Sequence, residues 1–148
     1  VRIDTEPQRN MNTSGALVIP GGAGTRTLIK EEPFLKIYAV FRKTPLSSCP
    51  SVPVPPFLPD AGSSKGKGLP PNKRAFDWVV STSDKVHWIR KARWVHDGKF
   101  YTSSGISAGM DMTLGFIRDR FGAPAAERIA CRMEYIWNKN PDIDFFGT

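Results

Sequence analysis

Only two cysteines, Cys49 and Cys131, occur in the 148 residues. That is too few for a disulfide framework, and with only two histidines, His87 and His96, it leaves no four-ligand zinc pattern and no expected metal site. No apolar run approaches the roughly 20 residues needed to cross a bilayer as a helix. The first fifteen residues, VRIDTEPQRNMNTSG, read as a polar tail without the apolar core of a signal peptide. These absences point to a reducing, cytoplasmic setting with no membrane partner. The net charge of +7 is scattered along the chain, and there is no helix-turn-helix, zinc-finger or aromatic-basic signature, so no nucleic-acid motif is apparent. The densest basic cluster, IRKAR from Ile89 to Arg93, reads as a solvated face. No phosphate-binding loop ending in Gly-Lys-Ser/Thr is present, and no cofactor is expected.

A hydrophobic fraction of 40% suits one domain with one core. Ala16 to Ile19, in ALVIPGGAGT, is a continuous apolar run as expected of a strand buried on both faces, and Pro20, Gly21 and Gly22 end it. LIKEEPFLKIYAVF carries a helical pattern, with Pro33 suited to a first turn. Phe76, Val79 and Val80 suit a short helix. VHWIRKARWVHDGKFYTSS reads as strands around a tight turn at Asp97-Gly98. SSGISAG opens a helix with Ser107 as its N-cap candidate. That helix turns Met112, Phe116 and Ile117 inward and stops at Gly122. A second helix starts near Pro124 and carries an apolar stripe of Ile129, Met133 and Ile136, with Cys131 buried and inert beside it. Strand–loop–helix units followed by a hairpin predict an α/β domain with a mainly parallel sheet. In such sheets ligands bind at the carboxyl ends of strands, here the loops after Ile19 and Thr102.

One segment breaks this pattern. Seven prolines fall between Leu46 and Lys73, and residues 45–71 predict a Pro-rich irregular segment that interrupts the domain.

Among candidate reactive groups, GISAG matches the G-x-S-x-G elbow, but both histidines precede Ser107, whereas that hydrolase order places histidine last. The bland reading is a glycine-rich turn. His96 abuts the tight turn and reads as exposed and structural. Cys49, between Ser48 and Pro50, has no basic neighbour to activate it.

Four strings, LVIPGGAGTRTL, NKRAFDWVVS, VHWIRKARWVHDGKFYTSSGISAGMDMTLGFI and MEYIW, closely resemble the PfpI family of the DJ-1-like and class I glutamine amidotransferase-like superfamily, nearest its isonitrile hydratase-like branch. The resemblance covers about residues 16–41 and 72–146. It implies a flavodoxin-like three-layer sandwich, a tendency to homodimerise and a small-molecule ligand. Family enzymes use a cysteine on a strand-to-helix elbow, in a V-C-T-G string, with an acidic residue from near their N-terminus. By resemblance Gly21 and Gly22 map to the oxyanion site, and Ser104, Gly105 and Ser107 to the pocket. Isonitrile hydratases add water across an isonitrile to give an N-substituted formamide. A related role is the sensor domain of an AraC-type regulator.

Two departures follow from the resemblance. The family's opening strand, helix and acidic residue have no counterpart before Ala16, so the domain reads as partial. V-C-T-G is also absent: counting from Pro20, its cysteine falls at about Val52. Length is kept up to Asn72 while the sequence is lost, as two compensating frame shifts would produce. Taking the last base of each codon with the first two of the next makes Ser51 to Val54 compatible with Cys-Thr-Gly. The same shift allows Gly-Leu-Leu from Ala61 onward and Ala-Thr-Thr from Gly68 to Pro71. The expectation is a family domain without a catalytic residue, inactive as written.

Overall fold

The computed structural model describes residues 16–19, 27, 30–33, 36, 47–50, 76–81, 88–98 and 100–147. Four strands form one sheet: β1 (Ala16–Ile19), β2 (Ser47–Pro50), β3 (Trp94–Asp97) and β4 (Phe100–Ser103), in the order β1-β2-β4-β3. β1 pairs parallel with β2 over the whole strand, from Ala16 opposite Ser47 to Ile19 opposite Pro50. β2 pairs parallel with β4, and β3 returns antiparallel on the outer side. The expected mainly parallel sheet is therefore present, and the carboxyl ends of β1, β2 and β4 share one edge.

β2 corrects the expectation that residues 45–71 are irregular from their start. Ser47, Ser48 and Cys49 keep their backbone amides, and Pro50, which has none to donate, is the last residue of the strand. The sheet thus keeps its central element. Residues 51–71 lie outside the described residues, as do residues 1–15, Gly21, Gly22 and His87. Of the helix expected around Pro33, Glu32, Pro33 and Lys36 are helical, and Lys36 Nζ bridges Glu32 Oε1 one turn back at 2.8 Å.

The hairpin β3–β4 turns at Gly98, whose φ of 59° is left-handed and suits glycine. Directly opposed residues share a sheet face, so Trp94, His96, Tyr101 and Ser103 line one side and Val95 and Thr102 the other. Val95 and Thr102 are buried as well as Trp94 and Tyr101, so both faces of the hairpin are shielded from water. His96 is exposed: its Nε2 donates to the Gly98 carbonyl at 2.8 Å, and its ring stacks on Tyr101 with centroids 4.1 Å apart. It plays the structural part expected of it.

Three helices are described: α1 (Phe76–Val80), α2 (Ile106–Phe121) and α3 (Ala123–Arg132). α2 lies across the Trp94 and Tyr101 face. Met112 is wholly buried there, and Phe116 meets the Tyr101 ring edge-on at 5.3 Å. Ile117, also expected inward, is half-buried. At Gly115 the helix has no side chain, and the Trp94 indole fills that space; a Cβ at this point would sit 2.7 Å from Trp94 Cη2. Gly122, with φ 87°, breaks α2 from α3, and Pro124 occupies the first turn of α3 as expected.

α3 corrects the expected apolar stripe. It packs on α2 through Ala126 and Ala130, while Ile129, Met133 and Ile136 are exposed, Ile136 to 94%. Small residues let the helix backbones approach closely, and the large residues are carried to the outer side. Cys131 is likewise exposed and not buried.

Two outcomes are expected. Gly115→Ala forces the Trp94 ring to move and lowers stability by about 1–3 kcal/mol, as overpacking does, read from the urea midpoint. The Tyr101 phenol is pushed up to about 12 by burial and by its hydrogen bond to Asp119. An unfolded tyrosine ionises near 10, so the stabilisation from Tyr101 is complete below about pH 10 and is lost as pH rises from about 10 to about 12. Tyr101→Phe should flatten the stability decline across that window, and an unchanged slope would contradict this assignment.

Candidate functional site

The loop between β4 and α2 carries the pocket residues the sequence singled out: Ser104, Gly105 and Ser107. Ser104 extends the hairpin by one residue, its amide donating to the Arg93 carbonyl at 2.9 Å. Gly105 is fully extended, caps α2 without a side chain, and accepts the Gly109 amide at 2.9 Å. The N-cap is therefore Gly105 and not Ser107, which lies inside the first turn with its hydroxyl turned to Arg93.

Arg93 organises this region. Within the string read as a solvated face, Arg90 and Lys91 are exposed, but Arg93 is buried. Its Nε donates to Asp111 Oδ2 at 2.6 Å, with the two side chains 8% and 0% exposed. Its Nη2 donates to Ser107 Oγ at 3.3 Å, and its Nη1 lies 3.7 Å from Asp144 Oδ1. Burial works against the guanidinium charge, but the Asp111 carboxylate outweighs it, with Tyr135 and Asp144 adding, so the Arg93 pKa stands above its ordinary value.

Asp111 accepts from three donors, since the Tyr135 hydroxyl at 3.0 Å and the Asn138 amide at 2.9 Å share Oδ1. Its backbone carbonyl takes the Trp137 indole N–H at 3.1 Å. The Tyr135 hydroxyl pKa is raised by burial and by the adjoining Asp111 carboxylate. Ser104 Oγ donates to Asp144 Oδ2 at 2.7 Å. Both site serines are thus engaged: Ser104 gives its proton to a carboxylate, and Ser107 accepts from a guanidinium. Among the described residues no histidine hydrogen-bonds to either, so neither has the adjacent base that activates a serine nucleophile.

Sequence reasoning missed Arg93, Asp111, Tyr135 and Asp144. One signal was available: Ala108, Asp111, Met112 and Gly115 recur at helical spacing on the buried face of α2, and a carboxylate on a buried face requires a donor. Gly21 and Gly22 come after β1 in the sequence and lie outside the described residues. A separate cleft of about 350 Å³, lined by Trp94, Val95, His96, Arg118 and Pro141 among others, follows the outer edge of β3 and includes none of the loop residues. Among the described residues, no group of three or more histidine, cysteine, aspartate or glutamate side chains could hold a metal ion, and no helix is long and apolar enough to cross a membrane.

Removing the Asp111 carboxylate leaves Arg93 charged and buried. Asp111→Ala is expected to cost about 3–5 kcal/mol in urea denaturation. Asp111→Asn should cost less, because its amide oxygen still accepts from Tyr135 and Asn138. A change within about 0.5 kcal/mol for Asp111→Ala, typical of a plain surface site, would remove the pair from its structural role.

No protein-family profile matches the chain. The isonitrile hydratase of Pseudomonas putida is 29% identical over 122 residues, which are 80% of this chain and 51% of that protein, so the chain spans about half the length of the curated relative it matches. A DJ-1 superfamily protein of Salmonella typhimurium superposes with a TM-score of 0.63 at 18% identity, covering 88% of this chain and 68% of that one. A proposed transcriptional regulator of Vibrio parahaemolyticus gives a TM-score of 0.71 at 13% identity, covering 87% of this chain and 69% of its own. The structural likenesses establish a flavodoxin-like fold. The isonitrile hydratase likeness, with the strings quoted above, makes the chain similar in sequence to the DJ-1/PfpI superfamily.

Proposed function

We propose that this chain is a DJ-1/PfpI domain of isonitrile hydratase-like descent that holds a small ligand at the shared carboxyl edge of β1, β2 and β4 without performing covalent cysteine chemistry. The observation that carries this reading is the end of β2. The strand stops at Pro50, and Val52 stands where the family's cysteine would follow. Addition to an isonitrile or acyl carbon by the family route needs a thiolate on the turn beyond the strand, donors for the developing charge and a proton-transfer group. Gly21, Gly22, Ser104, Gly105 and Ser107 supply candidate donors and walls, whereas valine supplies no nucleophile. Residues 45–71 are read, in the same proposal, as an out-of-frame stretch that replaces the elbow.

The likeness to the proposed Vibrio parahaemolyticus regulator, which covers 87% of this chain, favours a second reading as the ligand-sensing half of an AraC-type protein. Both readings share the binding pocket and differ in whether a second domain acts on its occupancy. A reducing, cytoplasmic setting belongs to the proposal and is supported by the exposed free thiol of Cys131. The homodimer implied by the family belongs to it too.

The test is an assay on a small alkyl isonitrile, following formamide formation, with this chain and with a version in which residues 46–71 carry the alternative frame and the family's opening strand, helix and acidic residue precede Ala16. No formamide is expected from the chain as it stands, and turnover by it would overturn the proposal. Formamide from the reframed version alone would support hydratase descent. Binding of the isonitrile without turnover by either would favour the sensor reading.

A further inference from the structure

We propose that the Arg93 guanidinium and the Ser104 hydroxyl form a carboxylate-binding seat at the end of β4, filled in this chain by its own Asp144, so that a small monocarboxylate enters only when the C-terminal segment 138–147 lifts away. The seat is buried: Ser104 is 4% exposed and the Asp144 side chain 2%. One Asp144 oxygen accepts the Ser104 hydroxyl at 2.7 Å, and the other faces Arg93 Nη1 at 3.7 Å while accepting the Phe146 amide at 3.0 Å.

The charge balance makes Asp144 the replaceable member. One buried cation faces two carboxylates. Asp111 has the first claim, through the 2.6 Å contact with Nε and two further donors. Asp144 holds the longer contact to Arg93, and its short hydrogen bond comes from a neutral hydroxyl. An acetate ion has the size and charge of the aspartate side chain and meets the same two donors.

The segment that delivers Asp144 is itself lightly held. Ile143, Phe145 and Phe146 are exposed, Phe145 to 82%, so the stretch buries no large apolar side chain. Its attachment is polar: the Pro141 carbonyl accepts the Arg93 and Trp94 amides at 2.7 and 3.3 Å, Asn138 binds Asp111, and Lys139 Nζ bridges Glu127 Oε1 of α3 at 2.6 Å on the exposed side. Ser104 belongs to both the seat and the pocket loop, so occupancy of the pocket and docking of this segment are coupled. That consequence rests on the pocket reading above; the seat itself does not.

The experiment removes the built-in occupant. Asp144→Gly is unfolded thermally in sodium acetate and in sodium chloride at equal ionic strength and pH 7. Acetate should raise its midpoint by several degrees, in a saturable way, because a ligand that binds only the folded state stabilises it by mass action. The unaltered chain, with its seat filled, should respond alike to both salts. Equal responses of Asp144→Gly to the two salts, or an acetate effect as large on the unaltered chain, would overturn the proposal. If Asp144→Gly fails to fold in either salt, Asp144→Asn decides. Its amide keeps the shape without the charge, and hydrogen exchange at residues 138–147 should run about tenfold faster than in the unaltered chain and faster still in acetate, which holds the seat open; unaltered exchange would overturn the proposal. None of these readouts depends on isonitrile turnover, so a failed seat and a failed pocket reading are told apart.

Discussion

Arg93 carries its charge on a side chain only 8% exposed, and four parts of the chain converge on it. β3 and β4 supply its backbone position and Ser104. α2 supplies Asp111 and Ser107. The stretch after α3 supplies Tyr135 and Asn138, which close off Asp111, and the end of the chain supplies Pro141 and Asp144. A buried guanidinium without partners would cost several kcal/mol. The folding of the hairpin, α2 and the Tyr135 stretch is therefore mutually conditional, each bringing an acceptor or a donor that the others leave unmatched, while the terminal segment that carries Asp144 closes over them. Such a network does little for net stability compared with an apolar core of equal volume, but it specifies one arrangement, because a slip of any element leaves a buried polar atom unpaired.

The same network fixes what the loop can do chemically. A serine nucleophile needs its proton drawn off by a base. Ser104 instead donates to a carboxylate that also faces Arg93, and Ser107 receives a hydrogen from Arg93. Both hydroxyls are held as orienting groups. Gly105, between them, is extended, and nothing lies within 4 Å of the position a Cβ would take. The loop is pinned by Arg93 and Asp144, and neither serine has the adjacent base that a covalent step through it would need.

Much of the fold was legible in the sequence because its signals are local. The apolar run of β1, the Asp97-Gly98 turn, the glycine stop at Gly122 and Pro124 at the start of α3 each announce themselves within a few residues. The network was not legible because its partners lie far apart: Arg93 and Asp111 are separated by 18 residues, and Ser104 and Asp144 by 40. Arg93 also closes the string IRKAR, where Arg90 and Lys91 just before it suggest a solvated face. The α3 stripe misled for another reason. Apolar spacing shows that a helix is two-faced, but Ala126 and Ala130 offered a closer approach to α2 than Ile129 and Met133 could, so the smaller residues took the interface.

β2 connects these points to function. Its position between β1 and β4 makes it the element from which a parallel sheet of this order presents chemistry at its carboxyl edge. Within a central strand, side chains stand above and below the sheet; groups that act at the edge must come from the residues just past its end. Pro50 sets that end, so Cys49, although it is one of only two thiols in the chain, belongs to the strand and not to the turn beyond it. The sheet keeps this strand between β1 and β4, and beside it the Ser104 and Ser107 hydroxyls are already engaged by Asp144 and Arg93, so neither stands ready as a nucleophile.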